Sequence, residues 1–151
     1  MQIIDFMLVH IRNQVNKKRK TRRAKSAWNN RISYAASFCP SSRLGQISAI
    51  DGNTYGIVNN ISLAKDVYRS SMTIDPKRNI LYVAMLQPRV LLIDAKTDSI
   101  TGSIITGNES SSILRDILFD ETTKTLYVID SEHDTLLSFN STNDLSSTIR
   151  V

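Results

Sequence analysis

A repeat of about 45 residues is the feature that most restricts how this 151-residue chain can fold. The pair Tyr82-Val83 returns as Tyr127-Val128, 45 residues later. An earlier and partial copy supplies "ISAID" at Ile47–Asp51, which corresponds to "VLLID" at Val90–Asp94. Aligned features with an approximately common period indicate a repeat architecture rather than coincidence.

Each full copy of the repeat has the pattern of four short β-strands. Runs of β-branched residues bounded by Asp, Asn, Gly and Pro are typical of strands and hairpins. A four-strand unit with a period in the forties indicates a β-propeller blade. The predicted fold class is all-β: a partial β-propeller of four-stranded antiparallel blades, preceded by a basic segment that is helical or disordered. In the middle copy the predicted strands are Ser71–Asp75, Ile80–Leu86, Arg89–Asp94 and Ser99–Thr106.

The stretch "IDPKRNILYVA", continued by "VLLIDAKTDSITGSI", resembles the YVTN-type repeat of YncE-like β-propellers, which occur in many archaeal and bacterial surface-layer-like proteins. The resemblance rests on Tyr82-Val83-Ala84 and on the turns Ile93-Asp94-x-x-Thr97 and Asp51-Gly-Asn-Thr54. The third copy departs from the pattern, because Ile129-Asp130 replaces its Thr-Asn pair. The resemblance covers about residues 44–151. It implies a non-catalytic binding or interaction module at the cell surface, although one propeller fold carries many activities.

The number of blades is a separate question. The repeat predicts a half blade at 44–64 and full blades at 71–107 and 113–151, and "RISYAAS" at 31–37 is a candidate for a further upstream strand. A closed propeller needs about four to eight blades, so two and a half would leave the apolar faces of the end blades uncovered. Two explanations are open: the chain is a fragment of a longer propeller, which is favoured, or copies associate to complete a ring.

Positive charge is concentrated at the beginning of the chain. Residues 1–43 carry ten Lys/Arg and one acidic residue, whereas residues 44–151 carry nine Lys/Arg and thirteen Asp/Glu. This basic leader is predicted to be disordered or to contain an amphipathic helix, and binding of nucleic acid or an anionic membrane through residues 12–31 is an alternative function. No signal peptide is recognised, so an extracellular location follows from the resemblance alone. The helical spacing is carried by Ile4, Met7, Leu8, Ile11 and Val15.

Motifs of catalysis are missing from the sequence. It contains no phosphate-binding loop, dinucleotide fingerprint, zinc-protease helix or Gly-x-Ser-x-Gly elbow. His133 lies among three acidic residues in "DSEHDT", but adjacent residues of one turn rarely converge on a single ion. No catalytic residue, metal or cofactor is predicted. The aspartates at strand ends are predicted to bond the backbone of their own turns; they are Asp51, Asp75 and Asp94.

The predicted binding surface is a set of loops. In a propeller, the loops that follow the second and the fourth strand of each blade lie on one face, and loops on a rigid scaffold commonly carry function. The partner is expected to be a protein or a cell-surface polymer. An enzymatic alternative, a propeller lactonase or redox-cofactor domain, would need His, Asp or Glu ligands from several blades. The candidate contact residues are Tyr68, Arg69, Gln87, Arg89, Glu132 and His133.

Overall fold

Antiparallel β-structure accounts for all the regular structure that we describe. The computed structural model describes residues 7–10, 32–39, 44–65, 71–107, 112–140 and 145–150, and these contain twelve strands and no helix. In chain order the strands are β1 (Met7–His10), β2 (Ile32–Cys39), β3 (Leu44–Asp51), β4 (Ile57–Lys65), β5 (Met72–Asp75), β6 (Ile80–Ala84), β7 (Arg89–Asp94), β8 (Ser99–Ile105), β9 (Leu114–Asp120), β10 (Thr125–Asp130), β11 (Thr135–Phe139) and β12 (Leu145–Arg150).

These strands form three sheets of four, each a meander of consecutive strands. The first sheet is β1-β2-β3-β4, the second β5-β6-β7-β8 and the third β9-β10-β11-β12. The predicted fold class, an all-β partial propeller of four-stranded antiparallel blades, is confirmed. The strands predicted for the middle copy agree with β5 to β8 within two residues at every end.

Two expectations about the beginning of the chain are corrected. Met7–His10 form a strand that pairs with β2 in antiparallel register, not part of an amphipathic helix. A short apolar run fits either structure, and pairing with the edge of a sheet decides between them. Because β1 and β2 join β3 and β4, the described part contains three four-stranded sheets rather than two and a half blades. Residues 12–31, to which nucleic-acid or membrane binding was assigned, lie outside the described residues.

The second sheet is covered on both faces, which explains the unbroken apolar run of β6. Leu81 and Val83 pack against the first sheet, in a cluster that includes Tyr34. Tyr82 and Ala84 point the other way and pack against the third sheet. A strand that is buried on both faces does not alternate between apolar and polar residues. The core therefore consists of two layers, one on each side of the second sheet.

The third sheet alternates between buried and exposed residues. Along β9, Ile117 and Phe119 are buried against the second sheet, whereas Leu118 between them is 61% exposed. The Phe119 ring stacks on Tyr82, with ring centroids 5.9 Å apart. The third sheet thus has one covered face and one open face.

Candidate binding surface

The connections between strands lie at two opposite edges of the sheets, because consecutive strands of an antiparallel meander reverse direction. Four of the described connections lie at one edge, and we call the turns within them the turn edge: residues 52–55, 76–79, 95–98 and 121–124. The connections β6–β7 and β10–β11 lie at the other edge, together with the segments that join the sheets. We call residues 85–89 and 131–134 the loop face.

One turn design is used throughout the turn edge. Each turn begins with an aspartate whose carboxylate accepts hydrogen bonds from backbone N–H groups two or three residues further on, as Asp75 Oδ1 does from Lys77 N at 3.0 Å and Arg78 N at 3.2 Å. Each turn ends with a residue at positive φ, between 51° and 58°. The turn role predicted for the strand-end aspartates is confirmed. These polar groups are used to shape the turns, since Asx bonds replace the missing ladder partners.

The β6–β7 connection of the loop face is built differently. Its shape is fixed by backbone bonds, from Met85 N to the carbonyl of Arg89 at 3.1 Å and from Thr106 N to the carbonyl of Pro88 at 2.9 Å. The side chains of Gln87 and Arg89 are exposed. A connection held by its main chain leaves such side chains available to a partner.

The β10–β11 connection contains the predicted residues Glu132 and His133, and both are exposed. His133 Nδ1 lies 2.8 Å from Asp130 Oδ2, and the side chain of His133 is 48% exposed whereas that of Asp130 is 4% exposed. The imidazole therefore lies against a buried carboxylate while about half of the side chain is exposed.

Asp130 is an anchor for this part of the loop face. Its Oδ1 accepts hydrogen bonds from Ile113 N at 3.2 Å and Glu132 N at 3.1 Å, which ties the segment before β9 to the β10–β11 turn. Burial by itself would raise the pKa of Asp130, but hydrogen bonds from His133, from Ser112 and from the two N–H groups outweigh it, so the pKa is lowered. A carboxylate that accepts this many bonds is held in place as the anion.

The exposed side chains of the loop face are a guanidinium, a carboxylate, an amide and an imidazole, from Arg89, Glu132, Gln87 and His133. These groups can form hydrogen bonds and ion pairs with a polar partner. Within the described ranges, no group of three or more His, Cys, Asp or Glu side chains is placed to hold a metal ion. The same part of the chain includes no helix with the length and apolar character needed to cross a membrane.

Of the six predicted contact residues, Gln87, Arg89, Glu132 and His133 lie on the loop face, whereas Tyr68 and Arg69 lie outside the described residues.

Sequence reasoning missed a set of polar links between sheets. Tyr34 of the first sheet donates its hydroxyl proton to Asp98 Oδ1 at 2.9 Å and also lies 3.2 Å from the carbonyl of Ala95, both in the β7–β8 turn. Asn59 Nδ2 donates to the other carboxylate oxygen of Asp98 at 3.2 Å. Between the second and third sheets, Ser71 Oγ lies 2.5 Å from Asp116 Oδ1. The tyrosine that recurs in the repeat indicated a role for Tyr34, but the sequence alone did not identify Asp98 as its partner.

Comparison with solved structures gives the same architecture. The chain matches the structure of U3-55K with a TM-score of 0.63 and 12% sequence identity, over 80% of this chain and 36% of that one. It matches Sqt1 from Saccharomyces cerevisiae with a TM-score of 0.59 and 13% identity, over 78% of this chain and 29% of that one. Both are WD40 β-propeller proteins. This chain therefore spans about a third of the length of these structures.

No family model matches the sequence, and no curated protein matches it. At identities this low the structural likeness concerns the fold alone. The three sheets and their stacking are those of part of a β-propeller.

Proposed function

We propose that this chain is a non-catalytic binding module of the β-propeller type and that its partner, a protein, binds the loop face. The observation that carries the proposal is the difference between the two edges. All four turns of the turn edge are Asp turns, whose polar groups bond their own backbone. Of the two described connections of the loop face, β10–β11 has the same design, with Asp130 and a positive φ at Asp134, whereas β6–β7 is held by backbone bonds. Repetition reflects a structural requirement, and departure from it on a rigid scaffold is where binding is expected.

A finer proposal concerns the setting. The resemblance to YVTN-type repeats supports a module of a surface-layer-like protein that contacts another protein or a cell-surface polymer outside the cell. Tyr82 and Val83 of the repeat motif lie in the central strand of a sheet, where they serve the stacking of sheets. The motif residues therefore stabilise the packing of the sheets, and the choice of ligand depends on the loops.

The experiment is a selection of displayed random peptides on the purified full chain, followed by affinity measurements on variants. Peptides chosen for the wild type should lose at least about tenfold in affinity when Arg89→Ala or Glu132→Ala is introduced, because truncating a contact at the centre of an interface costs more than 1 kcal/mol. Lys96→Ala is the matched control, an exposed side chain of the turn edge whose backbone N–H bonds Asp94. Peptides that are sensitive to Lys96→Ala and insensitive to both loop-face variants would contradict the proposal.

A further inference from the structure

The outer edge of the second sheet, formed by β8, is open to solvent. β8 is the last strand in the order β5-β6-β7-β8, and none of the described strands pairs with its other side. All of its residues except Ile104 are exposed, and Ile105 is 60% exposed. An edge strand of this kind presents backbone N–H and C=O groups that have no partner within the sheet.

The hydrogen-bond pattern identifies which backbone groups of β8 point outward. Thr106 N donates to the carbonyl of Pro88 at 2.9 Å, so these two residues occupy a hydrogen-bonded position of the β7–β8 ladder. Such positions alternate along an antiparallel pair, and the next ones are therefore those of Ile104 and Gly102. The residues between them point their N–H and C=O groups away from the sheet; they are Ser103 and Ile105.

The other side of β7 gives the same assignment. Met85 N donates to the carbonyl of Arg89 at 3.1 Å, which makes this a hydrogen-bonded position of the β6–β7 ladder. Every second residue of β7 from Arg89 therefore bonds β6, which leaves Val90 and Leu92 to bond β8. Their cross-strand partners in β8 are Ile104 and Gly102.

The outer strands of the other two sheets carry protection against pairing that β8 lacks. In β4 the backbone N–H of Asn60 is already bonded by the side chain of Asn59 at 2.8 Å, and the strand ends at Lys65. β12 ends at Arg150. β8 contains no charged residue and no proline, and its one irregularity of register precedes the regular stretch 102–105. Because charges, prolines and bulges are what usually keeps an edge from pairing, this stretch is left able to pair.

Gly102 leaves room for a large side chain on an added strand. Its φ is not positive, so the backbone conformation does not require glycine. Apart from its neighbours along the chain, no atom lies within 4 Å of the place that a Cβ would occupy. A glycine inside a strand often marks a place where another chain approaches closely. Leu92, the cross-strand partner of Gly102, is only partly buried, so a side chain that lies across Gly102 finds an apolar contact there.

We propose that β8 is a docking edge for an extended segment of another protein, which adds a fifth strand to the second sheet. The backbone of the segment forms four hydrogen bonds with the N–H and C=O groups of Ser103 and Ile105, and one of its large apolar side chains lies opposite Gly102. Main-chain bonds provide affinity in this mode of recognition, and alternate side chains provide specificity. At about 3.3 Å per residue, a segment of about five residues matches the stretch 102–106.

The occupant follows from the chemistry of the edge. Regularly spaced N–H and C=O groups in one plane are matched by the backbone of another strand, and an uncharged edge favours a partner segment without charge at its centre. The inference is independent of the function proposed for the loop face. It concerns one edge of one sheet and does not depend on the number of blades.

The first test is amide hydrogen exchange in the full chain, followed by nuclear magnetic resonance. The amide of Ile104 should be protected because it bonds β7, whereas the amides of Ser103 and Ile105 should exchange rapidly. Protection of these two amides in the dilute free chain would show that the edge is already covered and would overturn the proposal. Protection that increases with protein concentration would identify a second copy as the occupant and would overturn it as well.

The second test is a selection of displayed random nine-residue peptides on the wild-type full chain, followed by affinity measurements on Ser103→Pro. Proline removes the outward N–H and leaves the bonds between β7 and β8 in place, because proline is tolerated on an edge where the N–H faces solvent. Peptides that bind the edge should lose at least about tenfold in affinity, since the substitution leaves a carbonyl of the peptide without its donor. Ser103→Ala is the matched control, because it keeps the N–H and should leave the affinity unchanged. Ile105→Pro replaces Ser103→Pro if that variant does not fold by circular dichroism.

Changes to the peptide complete the test. N-methylation at alternate peptide residues should abolish binding in one of the two possible phases and have little effect in the other, because only one edge of an added strand bonds β8. If no selected peptide distinguishes the proline variants from the wild type, the edge does not pair and the proposal fails. Peptides that respond to Arg89→Ala or Glu132→Ala and not to Ser103→Pro would support binding at the loop face and contradict docking at the edge.

Discussion

Asp130 shows how a single buried residue can hold two segments of the loop face together. Its carboxylate is almost completely buried and accepts bonds from a side chain of its own turn and from the segment that precedes β9. The exposed members of the loop face, Glu132 and His133, follow it directly. The geometry of these two side chains therefore depends on the ionised state of Asp130.

The lowered pKa of Asp130 predicts that the free energy of unfolding falls at low pH. The pKa of Asp130 is lower in the folded chain than in the unfolded chain, where it lies near 3.8. Its contribution to the free energy of unfolding is therefore fully present above about pH 4 and is lost as the pH falls through the lower folded-state pKa. The measurement is urea unfolding of the wild type and of Asp130→Asn between neutral pH and pH 2.5.

The difference in stability between the two proteins should be largest at neutral pH and should shrink below about pH 4. Asp134→Asn, an exposed carboxylate in the same turn, serves as the control for a general effect of charge. A difference for Asp130→Asn that stays constant down to pH 2.5 would show that its carboxylate is not held as the anion.

At the scale of the elements, strand pairing builds each sheet, and a few side chains decide how the sheets are placed on one another. Tyr34 is fully buried, yet its hydroxyl reaches the β7–β8 turn of the next sheet. Asp98 in that turn has a φ of 51°, and its carboxylate receives both Tyr34 and Asn59. The left-handed backbone at this position places the carboxylate where the two donors meet, and this link orients the second sheet on the first.

Removal of the Tyr34 hydroxyl tests the link. Tyr34→Phe should lower the free energy of unfolding by about 1–2 kcal/mol, because it leaves a carboxylate oxygen and a carbonyl without a donor in a partly buried site. Tyr55→Phe is the matched control, because Tyr55 is 81% exposed and should respond by less than about 0.5 kcal/mol. Thermal and urea unfolding report the difference, and equal effects of the two changes would contradict the link.

The same contact has a signature at high pH. Burial and the carboxylate of Asp98 raise the pKa of Tyr34 well above that of an exposed tyrosine, for which it is about 10. The stabilisation is present below about pH 10 and is lost as the pH rises further, since the unfolded chain ionises there and the folded chain does not.

At the scale of the whole molecule, the second sheet joins two core layers. One layer holds Leu81 against the first sheet, and the other holds Leu126 of the third sheet against the second. Each sheet packs only on its neighbours, and in such a series stability is close to a sum of the units and their interfaces. Whether the three sheets unfold together depends on the strength of these two layers.

Leu81→Ala and Leu126→Ala test this coupling. Each residue is at most 1% exposed, and each change should cost about 2–5 kcal/mol as a cavity replaces the side chain. If the layers couple the sheets, both variants shift one common transition, monitored by circular dichroism and by tyrosine fluorescence. Ile105→Ala, with 60% exposure, is the control. Two separate transitions in either variant would show that the sheets unfold independently.

Much of the fold follows from local pattern. The 45-residue repeat, the β-branched runs and the aspartates at strand ends predict the strands of the second sheet to within two residues and a further four-stranded unit at 113–151, because strand alternation and turn chemistry depend on neighbours along the chain. The first sheet was predicted less well. The partner of β2 at its outer edge is Met7–His10, more than twenty residues upstream, and its short apolar run fits a helix as well as a strand.

The sequence by itself determined the repeated four-stranded unit, with its strands, its turns and the apolar residues that need to be covered. What only the tertiary structure decided is which sheet covers which face. The open face of the third sheet and the covered face of the second sheet both present a tyrosine and apolar residues in the sequence, and only stacking buries Tyr82 while it leaves Ile129 exposed. The reason is physical: burial depends on contacts between distant segments, whereas a pattern of residues states only that a contact is needed.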